Sequence, residues 1–207
     1  MVKRVEQKKR GKLTRRRKKI ILIGAEGNNK TEQNYFKRFN SRESEYVVIF
    51  AKGNDTDPLK VAKSVYKSSR PNEEDLHFDD GDCAYCVVDT DVDYAKQSKI
   101  DEAIKYGSNK HIEVILSNPC FEIWFLQHFT YSTKSFSSND AVIEELKNYI
   151  PSYEKNGDVF DALLPHIQTA KQNALKLEQY HDKVGHRKKS MERNPSSEVY
   201  VIIGKIR

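Results

Sequence analysis

The chain has 207 residues, 37% hydrophobic and 32% charged, with 11 Tyr, 9 Phe and 1 Trp. That is enough for one α/β domain, too short for two with separate cores, and too aromatic for a disordered polymer. The formal charge of +6 is unevenly placed, because residues 1–20 hold eleven Lys and Arg against a single acid, Glu6, and the remainder is mildly acidic.

In chain order, residues 1–18 form a basic arm that includes Lys8-Lys9-Arg10 and Arg15-Arg16-Arg17-Lys18-Lys19. Such a run binds phosphate backbones by releasing their counterions, and serves equally as a solvated tail. Lys19 to Gly24 is a short apolar run ending in glycine, which reads as a buried parallel strand. Thr31 to Asn40 carries aromatics at helical spacing, Tyr46 to Ala51 reads as a strand, and Pro58 to Ser68 as a helix with proline in its first turn. After a polar stretch, Cys83 to Val88 is a third strand, Ser98 to Tyr106 a helix and His111 to Leu116 a fourth strand.

This alternation predicts an α/β fold with a mainly parallel sheet flanked by helices. Beyond Pro119 strand signals largely vanish. Phe121 to Phe129 is apolar all round and reads as a buried helix, Ala141 to Tyr149 as another, and Ile167, Ala170, Ala174 and Leu177 stripe a third. At the end, Asn194-Pro195 reads as a helix cap and first position, whereas Val199 to Ile203 has strand composition. The organisation expected is one domain over 19–207, with a sheet core to about 117 and a helical part after it. No stretch approaches the roughly 20 apolar residues of a membrane span. Three cysteines make no disulfide framework, so a soluble cytoplasmic protein is expected.

The chemistry-bearing residues fall at strand ends. In parallel sheets the functional crevice lies beyond the carboxyl ends of the strands. Glu26 follows the first strand, and Asp89 and Asp91 follow the third. Alternation along an extended strand would aim both aspartates the same way. Converging carboxylates repel unless a hard cation holds them, which suits Mg²⁺ or Mn²⁺. Glu26 reads either as a ligand or as a general acid/base. A competing reading is a P-loop over Gly24 to Thr31, with Lys30 as its lysine, although Asn29 replaces the second glycine and Glu26 sets a negative charge among the amides. Cys83-x-x-Cys86 in a strand puts its thiols on opposite faces, which argues for packing rather than zinc. His128 and His166 are isolated, and Trp124, Phe125 and Phe129 read as core. A second basic cluster, with Arg187, Lys188 and Lys189, joins the arm and Lys30 as candidate nucleic-acid contacts.

Several strings together resemble the RloB-like family, a Toprim-related group associated with bacterial anti-phage and abortive-infection loci. They are Glu26-Gly27 with Thr31-Glu32 and Tyr35-Phe36; Val88-Asp89-Thr90-Asp91; Leu116-Ser117-Asn118-Pro119-Cys120-Phe121-Glu122-Ile123-Trp124; His128-Phe129; Asn173-Ala174 with Leu177; and Asn194-Pro195-Ser196-Ser197. The resemblance implies a Toprim-like core whose Glu26, Asp89 and Asp91 bind Mg²⁺ for cutting or rejoining nucleic acid. Glu122 also matches a family acid, either a further ligand or a partner fixing its helix. Ala25 departs from a usual cysteine, and Asp93 adds an acid. The resemblance further implies an ATPase partner of the ABC/SMC type.

Overall fold

The computed structural model describes residues 17–28 and 30–207. Strands and helices alternate as β1 (Lys19–Ala25), α1 (Lys30–Lys37), β2 (Tyr46–Phe50), α2 (Pro58–Ser68), β3 (Cys83–Asp89), α3 (Gln97–Ser108) and β4 (Ile112–Asn118). A helical segment follows, with α4 (Glu122–Gln127), α5 (Asn139–Lys147), α6 (Phe160–Leu163) and α7 (Ile167–Lys183), before a two-residue β5 (Ser196–Ser197) and α8 (Val199–Ile206). The sheet order is β2-β1-β3-β4-β5, parallel except for β5, which pairs antiparallel to the end of β4. The α/β expectation therefore holds.

Burial on both faces explains the continuous apolar runs. In β1, Ile21 and Ile23 pack into one core while Leu22 packs into the other, and all three are fully buried. Each such side chain contributes about 1.5–3 kcal/mol by leaving water. In β3, Tyr85 and Val87 share the first core, Cys86 and Val88 the second. Cys83 and Cys86 accordingly sit on opposite faces, and all three cysteines are free. Helices α2 and α3 cover the second face with Val61, Val65, Ile100 and Ala103. The other face is covered by α1, α4, α7 and α8, through Phe36, Trp124, Ala170 and Ile202 among others. Local signals set the starts: the Asp57 carboxylate accepts from the Lys60 N–H at 3.0 Å ahead of Pro58, and the Ser138 hydroxyl accepts from the Ala141 N–H at 3.1 Å.

The C-terminal expectation is overturned. Pro195 is not a first helical position; it follows a cis bond and leads into β5, while the Asn194 side chain brackets the Phe136 backbone N–H and C=O at 3.0 and 2.7 Å. Val199 to Ile203 is helical rather than extended. Val199, Ile202 and Ile203 recur at helical spacing and are fully buried against the first core, so tertiary burial overrides their β propensity. The turn into this helix also closes the sheet edge. Glu198 donates its N–H to the Leu116 C=O at 2.9 Å, and its carboxylate accepts the Leu116 N–H at 3.0 Å. Lys189 pairs with Glu198 at 2.8 Å and donates to the Val114 C=O. Side chains thus replace a missing neighbour strand along β4. Among the described residues, no helix is long and apolar enough to cross a membrane.

Candidate functional site

The central strands deliver acids to one end of the sheet. Glu26 directly follows β1, Asp89 closes β3, Glu32 lies in the first turn of α1, and Glu122 opens α4 just after β4. Asp91 arrives differently from the alternation expected of an extended strand. Thr90 still donates its N–H to Ser117 at 3.0 Å, but Asp91 and Val92 then adopt left-handed backbone, with φ of 55° and 56°. For a β-branched valine that conformation costs on the order of 1–3 kcal/mol and persists only where the surroundings impose it. Here the Asp91 N–H is held by the Pro119 C=O at 2.9 Å, the Asp93 N–H by the Thr90 C=O at 3.0 Å, and the Thr90 hydroxyl by Asn118 Oδ1 at 2.8 Å. The turn, not the pleat, presents Asp91.

A lysine bridges the acids. Lys96 Nζ donates to Glu26 Oε2 at 2.6 Å and to Asp91 Oδ2 at 2.7 Å, with its side chain only 11% exposed and that of Glu26 14%. Asn139, at the start of α5, donates its Nδ2 to Asp91 Oδ1 at 2.7 Å. Three acceptor oxygens in this neighbourhood are buried without any donor: Glu26 Oε1, Asp89 Oδ1 and Asn139 Oδ1. Unpaired buried oxygens of this kind are costly and rare in folded proteins.

The electrostatics follow from that crowding. Burial pushes the Glu26 carboxyl up to about 7, against the pull of Lys96. Burial, followed by the neighbouring Glu122 charge, likewise brings Glu32 to about 7 despite a backbone hydrogen bond. Asp89 is raised well above the ordinary range by burial and by the charges of Glu32, Glu122, Glu26 and Asp91. Burial works against Asp91 too, yet hydrogen bonds from Lys96 and Asn139 hold it below the usual carboxylate value. One Glu122 oxygen accepts from the Tyr153 hydroxyl at 2.9 Å, which fixes its orientation.

The donor set is hard oxygen throughout, the kind that Mg²⁺ and Mn²⁺ prefer, and three of its oxygens have no hydrogen-bond partner. Among the described residues, no three His, Cys, Asp or Glu side chains already stand in a ligand cage. The Lys96 ammonium lies between two of the acids instead, so the residues suit a divalent ion in chemistry and need local side-chain movement to grip one.

The expected basic contacts are largely committed elsewhere. Arg15 and Arg16 lie outside the described residues. Arg17 pairs with buried Asp82 at 2.9 Å, Lys18 donates to the Ser41 C=O, and Lys19 pairs with Glu45 at 2.6 Å. Arg187 pairs with Asp101 at 3.2 Å, Lys188 with Glu178 and Asp182 at 3.5 and 3.7 Å, and Lys189 caps the sheet edge. Lys30 is exposed at the start of α1. His128 is buried and donates Nδ1–H to the Trp124 C=O at 2.8 Å; burial holds it down to about 4, so it is a neutral core residue. Lys96, Asn139 and Glu32 are the members that sequence reasoning did not assign to the site. Lys96 had a faint local signal, five residues after Asp91, and Asn139 had none.

Fold and crevice together define an α/β protein whose functional end is a carboxylate cluster bridged by one lysine. The chain belongs to the RloB-like protein family, whose profile matches residues 21–206 and so contains every acid of the cluster. Searches of the curated proteins and of the solved structures returned no match.

Proposed function

We propose that this protein is a nuclease dependent on Mg²⁺ or Mn²⁺, with a Toprim-type acidic site, that cuts phosphodiesters of DNA or of RNA such as tRNA. Its setting in this reading is bacterial anti-phage defence of the abortive-infection kind, alongside an ABC/SMC-type ATPase. The observation that carries the reading is the set of buried, donorless oxygens on Glu26, Asp89 and Asn139 around a carboxylate cluster at the functional end of a parallel sheet, in a chain of the RloB-like family.

Glu26, Asp89 and Asp91 would hold the ion, with Glu122 and its Tyr153 hydrogen bond flanking them. A divalent ion held by these residues would supply Lewis-acid chemistry toward a phosphodiester and its attacking water. Without the ion, burial holds the Glu26 carboxyl up at about 7, so a cation entering near neutral pH would displace a proton from it. Asn139 and Lys96 orient Asp91 through its two oxygens. The basic residues ahead of Arg17, together with Lys30, would supply sequence-independent attraction to the phosphate backbone.

A second reading is favoured by the Lys96 bridge and the absence of a formed ligand cage among the described residues. In it, Lys96 permanently neutralises the acids and the protein is a non-catalytic nucleic-acid-binding or sensor subunit. Purified protein incubated with duplex DNA and with total cellular RNA, with Mg²⁺, Mn²⁺ or EDTA, separates the two. The nuclease reading expects metal-dependent cleavage that Glu26→Ala and Asp89→Ala abolish. Equal cleavage by those variants would sink the assignment, and nucleic-acid binding indifferent to metal, without cleavage, would favour the sensor.

A further inference from the structure

We infer that Lys96 is a tethered counter-ion holding the cation position in the metal-free protein, and that a divalent ion enters by exchange with its ammonium. This rests on the metal reading above and adds how the site is kept and loaded. Lys96 sits in the turn before α3, at the rim, and its four-carbon stem carries the charge inward to join Glu26, 70 residues away, with Asp91. An ammonium offers three donors. Two are spent on Glu26 Oε2 and Asp91 Oδ2, and the second oxygen of Glu26 together with Asp89 Oδ1 is left without a donor. One positive charge therefore compensates the cluster incompletely, whereas a divalent ion with six oxygen positions can take what the ammonium leaves.

Asn139 fits the same scheme. Its amide must turn Nδ2 toward the Asp91 carboxylate, which can only accept, so Oδ1 faces away, buried and unpaired. With Nδ2 committed to Asp91, Asn139 holds that carboxylate in place beside Lys96 whichever cation occupies the site. Exchange leaves the lysine tethered at the rim, still positive and within reach of an anionic substrate.

The test uses the full chain and reads metal binding rather than cleavage. Binding of Mn²⁺ is measured by electron paramagnetic resonance of the free ion for the wild type, Lys96→Met and Lys96→Arg. Competition predicts that Lys96→Met binds Mn²⁺ about tenfold tighter or more, while Lys96→Arg, which keeps the charge, stays near wild type. A purely structural salt bridge predicts equal or weaker binding in Lys96→Met, and that result overturns the inference while leaving the metal reading standing. Absence of Mn²⁺ binding in all three proteins overturns both. Should Lys96→Met not fold, the ¹⁵Nζ signal of Lys96 in wild-type protein decides. It should lose its hydrogen-bonded character in step with added Mg²⁺, and a signal unchanged at saturating Mg²⁺ refutes the exchange.

Discussion

Glu26→Gln removes one buried charge at nearly constant shape, and its effect on stability should depend strongly on pH. Burial raises the Glu26 carboxyl from 4.5 to about 7. A raised acid stabilises the fold fully below its unfolded value, and that contribution is lost as pH climbs through the folded one. At about 1.4 kcal/mol for each tenfold change in proton affinity, the loss between pH 4.5 and pH 7 or above is about 3 kcal/mol. Glu32 and Asp89 carry the same sign, whereas His128, held down to about 4, carries the opposite one: its contribution is present above pH 6.5 and lost as pH falls through 4.

Glu32 and His128 are shared by both proteins, so the difference between them reads Glu26 together with the relief that losing its charge gives Asp89. Urea unfolding in EDTA at half-unit steps from pH 4.5 to 8 should show the glutamine variant gaining about 3 kcal/mol on the wild type across the window. Excess Mg²⁺ should close part of that gap by stabilising the ionised wild-type site. Parallel profiles for the two proteins, or a gain of opposite sign, would refute the reasoning that burial dominates Glu26.

Three further perturbations test the frame around the site, and one tests the site itself. Glu198→Ala leaves the Leu116 N–H without its acceptor and removes the carboxylate from Lys189, which keeps only the Val114 C=O, and should cost about 1–3 kcal/mol in urea unfolding. Gly107→Ala gains helix propensity, yet a Cβ there would stand 2.5 Å from the Ile112 carbonyl oxygen; a net loss of about 1–3 kcal/mol is expected, and a rise in melting temperature would contradict the packing. Val92→Gly relieves left-handed backbone at a β-branched residue and should raise stability by about 1 kcal/mol, seen as a higher urea midpoint. On the metal reading Mn²⁺ should raise the wild-type melting temperature and Asp89→Asn should abolish that rise; a rise of the same size in the variant would remove Asp89 from the ligand set.

The sequence by itself determined the order of strands and helices as far as β4, because hydrophobic period and turn residues are local. The runs at Ile21 to Ile23 and Cys83 to Val88 announce strands buried on both faces, and Asp57-Pro58 announces a helix start. Strand-end position was enough to single out Glu26, Asp89 and Asp91 as site candidates. Only the tertiary structure decided how the acids are compensated. Lys96 meets Glu26 across 70 residues, Asn139 meets Asp91 across 48, and Glu122 meets Tyr153 across 31. Such pairings arise from chain crossings that no local pattern encodes. The same holds at the C-terminus, where Val199 to Ile203 has strand composition and forms a helix. Its apolar stripe meets a core assembled from elements far earlier in the chain, and burying that stripe outweighs the weak preference of its residues for extended backbone.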